Sequence, residues 1–265
     1  TIRELGYDNP ETVDQTVRGW HHGRYRATRS TRGRQILTEL MPVLLKAIAS
    51  TSAPDVVFLR FDGFLSRLPS GVQLFSLFHA NPQLLDLVAE ILGKAPRLAE
   101  HLVNRPAVLD SVLTRDFLDP PPAREDLQVE LEELLRRTGN FEQKLDSSRR
   151  WNNDRRFQIG VQCLRGAIQP GDAGTAFSNI AEIALAGLYP AVEDEFVRQH
   201  GHIPGAGMAV LALGKLGSRA MTASSDLDLV FIHDTPEGGG IPSGGNRPRH
   251  PPRAPSGFAG LLAPR

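Results

Sequence analysis

Apolar residues recur at helical spacing through most of the chain. Asn9-Pro10 reads as an N-cap followed by proline at the first helical position, and Val13, Val17 and Trp20 then mark one face. From Gln35 the set Ile36, Leu37, Leu40, Met41, Leu44, Leu45 and Ile48 predicts a helix, with Pro42 expected to kink it. Short helices punctuated by proline follow. One covers 55–68 with Val56, Phe58, Phe61, Phe64 and Leu65. Another starts at Asn81-Pro82 and ends at Gly93, and a third starts at Arg105-Pro106. Asp119 and the three prolines after it form a rigid break. Leu127, Leu131, Leu134 and Leu135 then define a helix that stops at Gly139. A helical stretch follows over 141–168. The strongly periodic one over 174–200 carries Phe177, Ile180, Ala184, Leu188, Val192 and Phe196, with a bend expected at Pro190.

The period changes after Gly201. Residues 208–213 are continuously apolar, too short a run for a typical helix and suited to a buried strand. Gly214 and Gly217 break the run, with Lys215 between them and Ser218 directly after. The chain re-enters a predicted strand over 226–232, where Asp226 and Asp228 fall on one face while Leu227, Leu229 and Phe231 fall on the other. Two carboxylates on one face of an apolar strand repel each other unless a cation sits between them. Mg²⁺ suits such a pair, because it takes one or two protein carboxylates and completes its shell with water and phosphate oxygens. Glycine lets a phosphate approach the backbone, and Ser218 with amides at a helix start can hold an anion. Strand, Gly-Ser, short helix and Asp-x-Asp strand thus make a workable Mg–nucleoside triphosphate site. An edge hairpin carrying two surface aspartates is the plainer alternative.

GKLGS from Gly214 together with SDLDLVFIHD from Ser225 resembles the nucleotidyltransferase superfamily of DNA polymerase β type, and more narrowly bacterial glutamine synthetase adenylyltransferase. The segments FDGFLSRLPSGVQLFSLFHANPQLLDLVAEILG and RRWNNDRRFQIGVQCLRG are similar to the same family, so the resemblance spans roughly residues 6–234. That family has two catalytic halves, one attaching AMP to a tyrosine of glutamine synthetase and one removing it. The position after a helical connector points to the attaching half. The resemblance implies Asp226 and Asp228 as Mg²⁺ ligands and catalytic residues, Gly217 and Ser218 as holders of the β,γ-phosphates, and ATP as substrate. Lys215 either adds positive charge there or faces solvent. Glutamine synthetase is the implied partner, with a PII-type signal protein as a further candidate.

The implied fold is mainly α: a helical connector or bundle over 1–140, then the start of an α+β polymerase-β-like domain with its leading helices over 141–234. Residues 235–265 hold seven glycines and seven prolines without any period, and are expected to form a disordered tail. The family's catalytic domain continues where this tail stands. A truncated chain with little or no catalysis is therefore expected, lacking a third carboxylate. A non-catalytic helical protein-binding module and the AMP-removing half are the other readings.

Composition narrows the partners. Thirty basic and 30 acidic residues leave a formal charge of zero, so no global field favours nucleic acid or membrane. Arginines 18, 24, 26, 29, 32 and 34 make the N-terminal region locally basic. A solvated helix face explains them, and Trp20 and Tyr25 lend a nucleic-acid reading little support. Arg149, Arg150, Arg155, Arg156 and Arg165 either reach a phosphate or pair with Asp146 and Asp154. One cysteine, Cys163, excludes an internal disulfide framework and fits a reducing cytoplasm. No apolar run is long enough to span a bilayer.

Overall fold

A computed structural model describes residues 2–112, 114 and 117–234 of the chain. The chain divides into two compact units between Phe117 and Leu118. The first contains α1 (Pro10–His21), α2 (Thr31–Ala49), α3 (Pro54–Arg67), α4 (Val72–Ala80), α5 (Gln83–Lys94), α6 (Pro96–Asn104) and α7 (Val108–Val112). The second contains α8 (Arg124–Arg136), α9 (Phe141–Leu164), α10 (Pro170–His200), β1 (Gly207–Ala212), α11 (Gly214–Gly217) and β2 (Leu229–Asp234).

Proline opens α1, α3, α6 and α10, where its missing N–H has no helical partner to lose. Pro42 and Pro190, by contrast, lie inside α2 and α10, which continue through them. Pro106 does not open a helix: it sits in the turn before α7, which starts at Val108. Side-chain caps hold two helices. Ser30 Oγ accepts the Gly33 amide at the start of α2, and Asn140 and Gln143 form a reciprocal capping box at α9.

The first unit is held by aromatic packing. Trp20 stacks on Phe58 at 5.2 Å between ring centroids, and Phe61, Phe64, Phe75 and Phe78 are fully buried in the same unit. The indole N–H of Trp20 donates to one oxygen of Asp62 at 2.7 Å, and the Tyr25 hydroxyl donates to the other at 2.9 Å. The locally basic stretch is partly absorbed by this unit. Arg18 pairs with Asp14 at 2.7 Å, Arg24 lies over the Tyr25 ring, and Arg34 donates to the Thr28 and Arg29 carbonyls.

In the second unit α8 packs against both α9 and α10, although the sequence places it with the preceding helices. Leu127, Leu131 and Leu135 bury one face of α8 in a core shared with Trp151, Ile159, Phe177, Ile180 and Ile183. Cys163 is half-buried against that core, and burial pushes its thiol pKa up, as suits a packed rather than reactive side chain. Arg149 is paired with Asp146 at 2.9 Å, and Arg155 with Glu130 of α8.

β1 and β2 form an antiparallel pair in which Gly207 faces Asp234 and Ala212 faces Leu229. The expected strands exist, but β1 is exposed along its whole length rather than buried. Apolar side chains occupy both faces of the pair: Met208, Val210 and Phe231 on one, Leu211, Val230 and Ile232 on the other, all exposed. Among the described residues no helix is long and apolar enough to cross a membrane. The tail expected to be disordered, 235–265, lies outside the described residues.

Candidate active site

The glycine-serine segment is a single helical turn between the strands. β1 ends at Ala212, and Leu213 donates its amide to the Asp228 carbonyl at 2.8 Å, one step beyond the β1–β2 ladder. Gly214 then takes φ +54°, a conformation that L side chains rarely adopt, and opens α11. A Cβ on Gly214 would lie 2.2 Å from Oδ2 of Asp228, so the Asp228 carboxylate is seated directly against this glycine. Gly217 is required for a different reason, because a Cβ there would come within 2.5 Å of the Ala212 carbonyl oxygen.

Ser218 closes α11 instead of opening a helix. Its amide donates to the Gly214 carbonyl at 3.1 Å, and the Gly217 amide donates to that of Leu213 at 2.9 Å. The amides without a partner inside the helix are those of its first turn, at Gly214, Lys215 and Leu216. The Ser218 hydroxyl makes only a long 3.4 Å bond to the Lys215 carbonyl, and it is exposed, as is Lys215.

Asp226 and Asp228 precede β2 rather than lying in it. The ladder stops where β1 gives way to the Gly214 turn, so residues before Leu229 have no strand opposite them. The alternation read from the sequence survives even so. Asp226 and Asp228 are exposed, whereas Leu227 and Leu229 pack against the core of the second unit. Leu216 and Met221, both buried in that core, anchor the segment on either side of Ser218.

Helices α9 and α10 fix what lies between Ser218 and Asp226. Arg219, also at positive φ (55°), donates to Glu182 at 2.7 Å and to Asn179. Arg156 donates to the carbonyls of Ala223 (2.7 Å) and Ser225 (3.4 Å). The sequence offers Arg156 as a phosphate candidate, and here one nitrogen of its guanidinium holds this backbone. The Arg219 contacts carry no sequence signal, because their partners lie 37 and 40 residues away. A cavity of about 810 Å³ opens between α10 and the hairpin, lined by Leu188, Val192, Phe196, Met208, Val210 and Phe231. None of the five predicted site residues lines it, so the Gly-Ser turn and the aspartates form a separate, open surface.

The profile of glutamate–ammonia ligase adenylyltransferases matches residues 85–247. The chain belongs to that family. Among its relatives are bifunctional glutamine synthetase adenylyltransferase/adenylyl-removing enzymes of Brucella melitensis (45% identical), Mesorhizobium japonicum (44%) and Caulobacter vibrioides (44%). Each alignment covers 88% of this chain but only 23–24% of the relative, so the chain spans about a quarter of the length of these adenylyltransferases. The matched region takes in all of the second unit's described elements, including the Gly214 turn and both aspartates.

The donor set fits a magnesium–triphosphate group. Two exposed carboxylates satisfy a cation that draws its other ligands from water and phosphates. Among the described residues there is no cluster of three or more His, Cys, Asp or Glu that would instead form an all-protein metal cage.

Proposed function

We propose that the chain carries the nucleotide-holding part of an enzyme that transfers AMP from ATP to a tyrosine hydroxyl of glutamine synthetase. The observation that supports this most is the Asp228 carboxylate seated against Gly214 at the start of the one-turn helix, which brings a cation ligand beside a glycine-opened backbone turn. Asp226 and Asp228 hold Mg²⁺, the Ser218 hydroxyl beside Gly217 receives the β,γ-phosphates, and Lys215 adds positive charge beside them. When bound, Mg²⁺ neutralises part of the triphosphate charge.

Transfer forms a bond from the tyrosine oxygen to the α-phosphorus and breaks the α–β anhydride, releasing pyrophosphate. A phenol with a pKa near ~10 must lose its proton on the way. The two aspartates support binding more directly than that deprotonation, so the chain alone is expected to bind Mg-ATP and to transfer AMP slowly or not at all. Glutamine synthetase, a PII-type signal protein and a cytoplasmic setting belong to the same reading.

Calorimetry with Mg-ATP tests it. Asp226→Asn and Asp228→Asn should each weaken binding about tenfold, the effect of losing one charged ligand worth about 1.4 kcal/mol. Unchanged affinity in both would falsify the metal assignment. The relatives' names carry both attachment and removal of the adenylyl group. ATP-dependent labelling of glutamine synthetase reports the first, and phosphate-dependent release of AMP from labelled glutamine synthetase reports the second.

A further inference from the structure

The segment between the Gly-Ser turn and the aspartates is tied down at both ends by arginines. Asn179 and Glu182 lie three residues apart and share one face of α10. Arg219 donates to Glu182 Oε1 and to Asn179 Oδ1, while Arg124 of α8 donates to Glu182 Oε2 and, at 3.3 Å, to the same Asn179 oxygen. Two guanidinium groups thus share one carboxylate and one amide in a closed network. The backbone of Arg219 is held at positive φ, a conformation costly for a residue with a side chain. Gly174 of α10 lets this turn approach closely, since a Cβ there would come 3.3 Å from the Ala220 Cα. At the far end, Arg156 of α9 holds the Ala223 and Ser225 carbonyls. The Thr222 amide donates to Ser225 Oγ at 2.9 Å and closes the last turn before Asp226.

We infer that Arg219 and Arg156 are positioning residues: they pin loop 218–225 to α10 and α9 and so fix Gly217-Ser218 relative to Asp226 and Asp228. The inference rests on the nucleotide reading above. In it each arginine acts through the loop it holds, by the bonds its guanidinium makes to protein acceptors. A loop left free would have to be ordered each time a ligand bound, and that entropy loss would lower affinity. Arginine suits the task better than lysine, because its planar fork reaches Glu182 and Asn179 together.

The test uses the full chain and measures backbone amide exchange beside Mg-ATP affinity. Arg219→Ala is expected to speed exchange across 213–228 about tenfold while α8, α9 and α10 keep their protection. It should also weaken Mg-ATP binding about tenfold, with Arg219→Lys recovering part of that loss. Glu182→Ala should match it, and the double variant should be no weaker than the worse single one. If Arg219→Ala disturbs the helices, Glu182→Gln, which keeps the side-chain shape, carries the same expectation. Arg156→Ala is expected to loosen 222–228 alone. Wild-type affinity in Arg219→Ala, with or without faster exchange, would overturn the inference and leave a surface ion-pair network. A wild-type chain that binds no Mg-ATP would instead overturn the nucleotide reading, and the positioning role with it.

Discussion

Gly214 carries two constraints at once, its positive φ and the Asp228 carboxylate lying where a Cβ would stand. Gly214→Ala is therefore expected to cost about 1–2 kcal/mol from the backbone alone and also to displace Asp228. Gly166 provides the control, because it has φ +69° and a Cβ there would meet nothing within 4 Å. Urea unfolding should show both alanines destabilising the chain, and Mg-ATP affinity should fall only for Gly214→Ala. Tyr7 offers a residue-level test of the first unit. Burial, helped by the Asp55 charge, raises its pKa well above the ordinary tyrosine value, while its hydroxyl donates to the Leu45 carbonyl at 2.8 Å. A neutral group with a raised folded pKa contributes stability that is complete below the unfolded value. That stability is lost as pH climbs above ~10, where the unfolded phenol ionises first. Unfolding midpoints should fall from pH 9 to pH 11 in the parent chain and fall less steeply in Tyr7→Phe. Equal slopes would show that Tyr7 ionises as easily in the folded chain.

At the scale of elements, α9 depends on its cap more than on amphipathic patterning. Its middle carries Arg149, Arg150, Arg155 and Arg156 among apolar residues, so no clean stripe defines the helix from sequence. Asn140 accepts the Gln143 amide at 2.9 Å, and the Gln143 side chain returns to the Asn140 amide at 3.4 Å. Asn140→Ala is expected to destabilise the chain by about 1 kcal/mol, with a loss of protection confined to the first turn of α9 in amide exchange. Uniform protection along the helix would mean that packing against α10 alone holds its start. The hairpin shows the complementary case. Its strands were legible from their apolar runs, although the second begins at Leu229 rather than at Asp226. The place where pairing ends was not, because it follows from the Gly214 turn and the Leu213–Asp228 hydrogen bond.

For the molecule as a whole, the exposed hairpin is the feature with the largest consequence. Among the described residues, the two-stranded sheet with Leu211, Val230 and Ile232 on one face and Met208, Val210 and Phe231 on the other exposes apolar surface and unpaired strand edges together. Such surfaces associate. Sedimentation velocity of the chain should show concentration-dependent self-association, and Leu211→Lys with Ile232→Lys should reduce it. Monomeric behaviour at every concentration in the parent chain would show that this surface is covered in solution.

The sequence by itself determined the helical class, the Pro10 opening of α1 and the presence of two short strands, because each is set by local periodicity or local backbone chemistry. It also determined the candidate chemistry: glycines, a serine and paired aspartates whose alternation with leucines persists even outside the strand. The tertiary structure decided what holds that chemistry in place. Arg219 meets Glu182 and Asn179, and Arg156 meets the Ala223 and Ser225 carbonyls, across 37 to 69 residues of chain. It likewise decided that α8 joins α9 and α10 and that Ser218 ends its helical turn. Such contacts depend on which helix faces pack together, and no local pattern of residue types encodes that choice.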